Sequence, residues 1–181
     1  MPAAEILIAG GIAALLLMLK GDAVKMAIGP MKLEEGFSPT PYSDYQQESI
    51  GYGSRYVDGV TPNPITENQA AALMDSQLRA NYAPAVTAAM TRKAVKLSAG
   101  SKAALIMFAY NNGPGALGPG KWFDYFAAGD MAEARSRFLM YHHAGGQDIP
   151  GLIQRRRREW VFLRTGRYPG LVNLSEEDLP L

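Results

Sequence analysis

Residues 35 to 56 read EGFSPTPYSDYQQESIGYGSRY, and the fold turns on how this stretch divides. The MKLEEGF segment that leads into it reads as the end of a short helix stopped at Gly36, because glycine accepts the left-handed conformation that closes helices. Glu35 then stands in the last helical turn. Beyond it, Pro39, Pro41, Tyr42, Tyr45, Gly51, Tyr52 and Gly53 spell short strands joined by turns. Asp44 and Ser49 belong to that small sheet.

Two carboxyl groups on opposed elements are the minimal equipment for splitting a glycosidic bond. One is kept protonated by an apolar pocket so that it donates to the leaving oxygen, and the other stays ionised to hold a water or the developing positive charge. Phe37 and a packed helix favour Glu35 as the acid. The tyrosine-rich, exposed sheet favours Asp44 as the ionised partner, with Ser49 orienting a water. Spacing alone is weak ground, since most Asp and Glu residues are solvated surface charges.

The motif as a whole is more specific. Glu35, eight residues, Asp44, four residues, then Ser49-Ile50-Gly51-Tyr52-Gly53 resembles the catalytic signature of the phage-type lysozymes, glycoside hydrolase family 24, which includes the T4 and P21 endolysins. The resemblance continues in Phe108 to Gly113, in Gly151-Leu152 followed by Arg155, Arg156 and Glu159, and in Arg164-Thr165-Gly166, so it covers about residues 32 to 166. It implies cleavage of the β-1,4 bond between N-acetylmuramic acid and N-acetylglucosamine in peptidoglycan, by water attack with inversion, without metal or cofactor. It makes Glu35 the general acid, Asp44 the second carboxylate and Ser49 the counterpart of a threonine. Tyr110 and Asn111 fall on saccharide-cleft positions, Tyr52 and Gly53 are further substrate-binding candidates, and Arg155 matches a basic residue beside the acid. The chain departs from the family in the loop Tyr45 to Glu48, YQQE, which is one residue short and lacks a glycine, and in Ser54, which replaces a histidine. The shorter loop bears on where Asp44 lies relative to Ser49. Glu48 reads as a solvated turn residue.

The implied architecture is α+β: a small lobe with a short antiparallel sheet, a larger helical lobe and a cleft between them. We divide the chain into an N-terminal hydrophobic helix (1–22), a lysozyme-like domain (23–166) and a tail (167–181). With 181 residues, 48% hydrophobic and 19% charged, the chain is long enough for one good core. A net charge of +1 gives no nucleic-acid footprint. There is no cysteine, so disulfides and thiolate chemistry are excluded.

The run Ile6 to Leu19, ILIAGGIAALLLML, spans roughly 21 Å as a helix, against roughly 30 Å of membrane hydrocarbon. It supports a signal-arrest-release segment, an anchor or packing helix in an assembly such as a virion, or a helix packed on the domain. Lys20, Lys25 and Lys32 follow it, an order that favours a cytoplasmic domain, whereas the resemblance implies a place in the host cell envelope, periplasmic or tethered to the inner membrane, with a virion as the alternative.

Downstream, the leading helix 23–35 is expected to break near Gly29-Pro30. Thr66 caps a helix to about Asn81 that buries Ala70, Leu73, Met74 and Leu78. A second helix, about 84 to 96, ends in Arg92, Lys93 and Lys96, either a solvated end or a wall-binding patch. Ser101 caps an apolar core helix to Asn111. The loop GPGALGPG, 113–120, lacks the features of a phosphate cradle, and Trp122 in the short helix after it reads as core before sugar platform. Asp130 caps a helix to about His143, which places His142 and His143 on different faces with no carboxylate to complete a metal site. Pro150 opens the last helix, whose run Arg155 to Arg158 has the pattern of a solvated face. The tail docks on a partner or is mobile. Two rivals to a hydrolase stand: a weakened, virion-associated wall-binding or structural protein, and a lytic transglycosylase.

Overall fold

The computed structural model describes residues 21–44, 47–144 and 146–181, with the side chains of Asp44, Gln47 and Ala144 left aside. The apolar run 6–19, with its membrane and assembly readings, lies outside the described residues, as do Tyr45 and Gln46 of the YQQE loop.

Helix α1, Ala23–Glu35, begins at Asp22, whose carboxylate accepts the Val24 and Lys25 amides at 3.1 and 3.3 Å. It ends at Gly36, where φ is +68°. The break expected at Gly29-Pro30 does not occur, and the helix runs straight through. Val24, Ala27 and Met31 form a buried stripe that crosses the proline. That packing outweighs the one amide bond that Pro30 removes.

The antiparallel sheet follows in the order β1 (Ser38–Asp44), β2 (Gln47–Gly51) and β3 (Ser54–Arg55). Tyr42 opposes Ser49, Ser49 opposes Arg55, and the register shifts between Ser38 and Tyr42. Pro39 and Pro41 lie in that irregular part of an edge strand, where a missing amide costs the ladder least.

Helix α2, Glu67–Gln77, carries the expected capping box, with Thr66 and Gln69 satisfying each other's amides. It does not end before the next helix. A π-helical turn, Leu78–Tyr82, carries it into α3, Ala83–Arg92, so the two expected helices form one continuous rod that stops at Arg92 instead of residue 96. The basic end of α3 is tethered: Arg92 donates to the Leu117 carbonyl at 2.8 Å, and Lys93 pairs with Asp124 at 3.0 Å.

Helix α4, Ala99–Asn112, is the core helix, with every residue from Ala103 to Ala109 buried. Its cap is Ser98 and not Ser101, since the Ser98 hydroxyl accepts the Ser101 amide at 3.0 Å while Ser101 sits buried in the first turn. Gly100 in that turn touches Gly166, the residue closing the last helix, and a Cβ on it would lie 2.0 Å from the Gly166 carbonyl oxygen. Gly100→Ala is therefore expected to destabilise by about 2 kcal/mol through overpacking, although alanine favours a helix interior by about 1 kcal/mol. Chemical denaturation reads the sign directly.

A 3-10 turn, Pro114–Leu117, leads to α5 (Trp122–Ala128) and α6 (Met131–Leu139), the latter capped by Asp130. Trp122 is core, packed edge-on against Phe108 and Phe138. A two-strand hairpin, β4 (His143–Ala144) with β5 (Gln147–Asp148), precedes α7, Pro150–Thr165.

The arginine run on α7 is not a solvated face. Arg155, Arg156 and Arg158 are all buried. Arg158 forms a two-pronged bond to Glu34 at 2.7 and 2.8 Å, and the Tyr168 hydroxyl donates to the same carboxylate at 2.5 Å. Burial pushes the Glu34 carboxyl up, but the Arg158 and Tyr168 hydrogen bonds and the charges of Arg158 and Arg155 outweigh it, and the group is held below its ordinary value.

The segment 167–181, expected to be mobile or to dock on a partner, lies along α7 as a strap. Val172, Leu174 and Leu181 offer main-chain oxygens to Arg158, Arg157 and Arg164, the Pro180 carbonyl takes the Trp160 indole at 2.7 Å, and Leu179 is buried. The expected division into a small sheet and a larger helical part is what the described residues form.

Candidate active site

Glu35 stands where α1 meets the sheet because Gly36 ends the helix there and turns the chain into β1. It faces a cleft of about 430 Å³. One wall comes from the sheet, through Tyr42, Gly53 and Arg55. The other comes from the helices, through Gln77, Asn81 and Tyr82 on the α2 rod and Tyr110 and Asn111 at the end of α4.

The two carboxylate oxygens of Glu35 have different surroundings. Oε1 accepts from Arg155 Nη2 at 2.6 Å. Oε2 faces the glycine turn, 3.7 Å from the point a Cβ on Gly53 would occupy, and the Tyr110 hydroxyl is 3.5 Å from the same point. Gly53 has φ +79°, a conformation that costs any other residue about 1–2 kcal/mol. Its bare backbone keeps the space between Glu35, Tyr110 and Tyr42 open.

Arg155 is anchored from behind. Its Nε donates to Glu159 Oε1 at 3.0 Å, and Arg156 donates to the same oxygen at 2.9 Å and to Asn111 Oδ1 at 2.8 Å. Glu159 is fully buried. One carboxylate thus holds two guanidinium groups, of which Arg155 reaches Glu35 and Arg156 reaches Asn111. Tyr110 donates to the Tyr52 carbonyl at 3.1 Å. Burial pushes its phenol up, and the charge of Glu35 adds to the effect, so the hydroxyl stays a donor at neutral pH.

The other sequence candidates are placed as follows. Asp44 ends β1, paired with Gln47 of β2, and its side chain is outside the described part of the structure. Ser49 is fully buried at the centre of the sheet, opposite Tyr42 and Arg55, and is not among the described residues that line the cleft. Tyr52 is buried with its hydroxyl on Glu67 at 3.0 Å, so it meets the cleft from behind, through the carbonyl that holds Tyr110.

Tyr42, Arg55, Gln77, Asn81 and Tyr82 were not singled out from the sequence. Gln77 and Asn81, four residues apart on one helical face, are the part of this wall that spacing suggests.

The sequence profile of the family described as Phage lysozyme matches residues 32–159. The chain belongs to the phage lysozyme family. Among curated relatives, the chain is 30% identical over 142 residues to an endolysin of Bacillus phage B103, a match that covers 77% of the chain and 52% of that protein. The chain therefore spans about half the length of the curated relatives it matches. Among solved structures, an endolysin of Escherichia coli O157:H7 phage FAHEc1 superposes with a TM-score of 0.66 at 24% identity, covering 80% of this chain and 94% of that one. A mutant P22 lysozyme superposes with a TM-score of 0.60 at 27% identity, covering 76% and 94%. The phage lysozyme match encloses Glu35, the cleft walls, Arg155 and Glu159, and it leaves the strap outside.

Proposed function

We propose that this chain is a muramidase that hydrolyses the β-1,4 bond between N-acetylmuramic acid and N-acetylglucosamine in bacterial peptidoglycan. The observation that carries this reading is Glu35 at the meeting of sheet and helices, with one oxygen tied to Arg155 and the other facing a polar cleft edged by tyrosines and amides. Glu35 donates its proton to the glycosidic oxygen, and the carboxylate so formed is received by the Arg155 guanidinium at 2.6 Å. Asp44 serves as the second carboxylate, giving inversion; the water-placing role expected of Ser49 is not assigned, because its side chain is fully buried and outside the cleft lining. Tyr110, Asn111 and Gly53 hold the saccharide, and Tyr52 acts from behind by fixing the Tyr110 hydroxyl through its carbonyl. No cofactor or metal takes part in this chemistry.

Muropeptide release from purified peptidoglycan tests the assignment. Reducing muramic ends support hydrolysis, anhydro ends indicate a transglycosylase, and binding without release by a folded chain indicates a wall-binding protein. Gly53→Val is expected to lower release roughly 100-fold, since a branched side chain would displace substrate from Glu35.

The host cell envelope is the site of action in this reading, and the run 6–19 supplies a membrane route to it, a place in a virion or a helix packed on the domain. Among the described residues no helix is long and apolar enough to cross a membrane. Membrane fractionation with and without residues 1–22 separates these routes, and a full-length protein that never sediments with membrane overturns anchoring.

A further inference from the structure

The turn between α6 and α7 gathers three potential ligands well apart in function from the cleft, with which it shares no lining residue. Helix α6 ends at Leu139 and not at His143, so the two histidines are not helix-end residues on opposite faces. The β4–β5 hairpin instead folds Asp148 back against both rings. His143 and Asp148 are register partners, and the Ile149 amide donates to the His142 carbonyl at 3.1 Å. Asp148 Oδ1 lies 2.7 Å from His143 Nδ1 and 3.2 Å from His142 Nε2. The three ligand atoms all fall within 4.8 Å of one another.

The orientation of the His142 ring bears on what this cluster is suited for. Its Nδ1 makes a short contact with the Leu139 carbonyl, and a carbonyl only accepts, so Nδ1 carries the hydrogen. Its Nε2 faces Asp148 Oδ1 at 3.2 Å, a gap that a shared proton or a metal ion can bridge. An imidazole whose far nitrogen is fixed by a backbone carbonyl is also how metal-ligating histidines are usually oriented.

We propose that His142 Nε2, His143 Nδ1 and the Asp148 carboxylate bind a divalent transition-metal ion of the zinc type, with the remaining coordination open to water. Two imidazoles and one carboxylate suit zinc, cobalt or nickel better than magnesium or calcium. Bonds of about 2.0–2.2 Å around a tetrahedral ion set neighbouring ligand atoms about 3.4 Å apart. The His142–Asp148 separation is near that value. The His143–Asp148 pair opens by several tenths of an ångström to reach it, which the exposed side chains of both residues permit. The bound ion clips the end of α6 to the start of α7, the helix that carries Arg155, and its role is structural.

The test uses the full-length, tag-free chain after chelator treatment and dialysis. Titration with Zn²⁺ is followed by calorimetry, titration with Co²⁺ by its visible absorption, and thermal unfolding is recorded at each zinc concentration. The expected result is one saturable ion per chain, a Co²⁺ spectrum of nitrogen and oxygen ligation, a Tm that rises with zinc, and no response to Mg²⁺. His142→Gln and Asp148→Asn are each expected to weaken binding by ~100-fold or more, and His143→Ala, at a half-exposed position, does so with circular dichroism unchanged. Absence of saturable binding, or binding that the three variants leave intact, overturns the proposal and leaves the cluster a hydrogen-bonded ion pair.

Discussion

Glu35→Gln is expected to lower muropeptide release by ~10²–10⁴-fold, the range a positioned general acid contributes, while the thermal midpoint barely moves. The two effects separate because the glutamine oxygen still accepts from Arg155, and Arg155 keeps its bond to buried Glu159 at 3.0 Å. Only the transferable proton is lost. Release assayed at matched concentrations, beside a circular dichroism melt, checks both halves. A variant that keeps more than about a tenth of wild-type release would remove Glu35 from the acid role, since a lost general acid costs at least about 100-fold. Asp44→Asn in the same assay is expected to fall as well, and its ratio to the Glu35 variant measures how far the shortened YQQE loop still lets Asp44 serve.

The second large effect concerns stability. Arg158→Met leaves Glu34 buried without its bidentate partner, and breaking a buried pair from one side costs about 3–5 kcal/mol. The pH dependence gives this its signature. The folded-state value of Glu34 is depressed, so its contribution to stability is present above the ordinary glutamate value of 4.5 and is lost as pH falls through the folded value. In the variant the cation is gone, and burial disfavours the charged form. The penalty should therefore be largest at neutral pH and shrink on acidification, as the carboxyl takes up a proton. Urea denaturation of both proteins from pH 7 down to pH 4 checks this. A penalty that stays constant across that range would mean that Arg158 contributes through packing and not through its charge.

The features read correctly from the sequence are those whose cause is local. Gly36 stops α1 one residue after Glu35, and Thr66 with Gln69 starts α2, because both signals act within four residues of the backbone they satisfy. The placement of the candidate site was legible to the same extent, as a carboxyl group at a helix end beside a glycine turn. Its far wall was not. Gln77, Asn81 and Tyr82 face Glu35 only because α2 continues through a π-helical turn, and that continuity is imposed by packing around Leu78. The arginine run misleads for a similar reason. A guanidinium is buried only if a carboxylate meets it, and the partners Glu34 and Glu35 lie 120 or more positions away in the chain. The two serines at 98 and 101 offered equivalent capping chemistry, and only the backbone path chose between them. The histidine cluster was missed because a hairpin of two-residue strands leaves almost no alternation to detect.

The strap along α7 has an evolutionary reading. Its attachments to Arg157, Arg158, Trp160 and Arg164 are made by carbonyl oxygens, which every amino acid possesses. Replacing most strap residues therefore leaves the fastening intact. Adding or deleting a single residue moves every oxygen out of step with the helix below. Homologues should accordingly vary in composition at most strap positions, Tyr168 and Leu179 apart, yet keep the spacing between the fastened carbonyls, so that spacing is a better mark of shared descent than the letters.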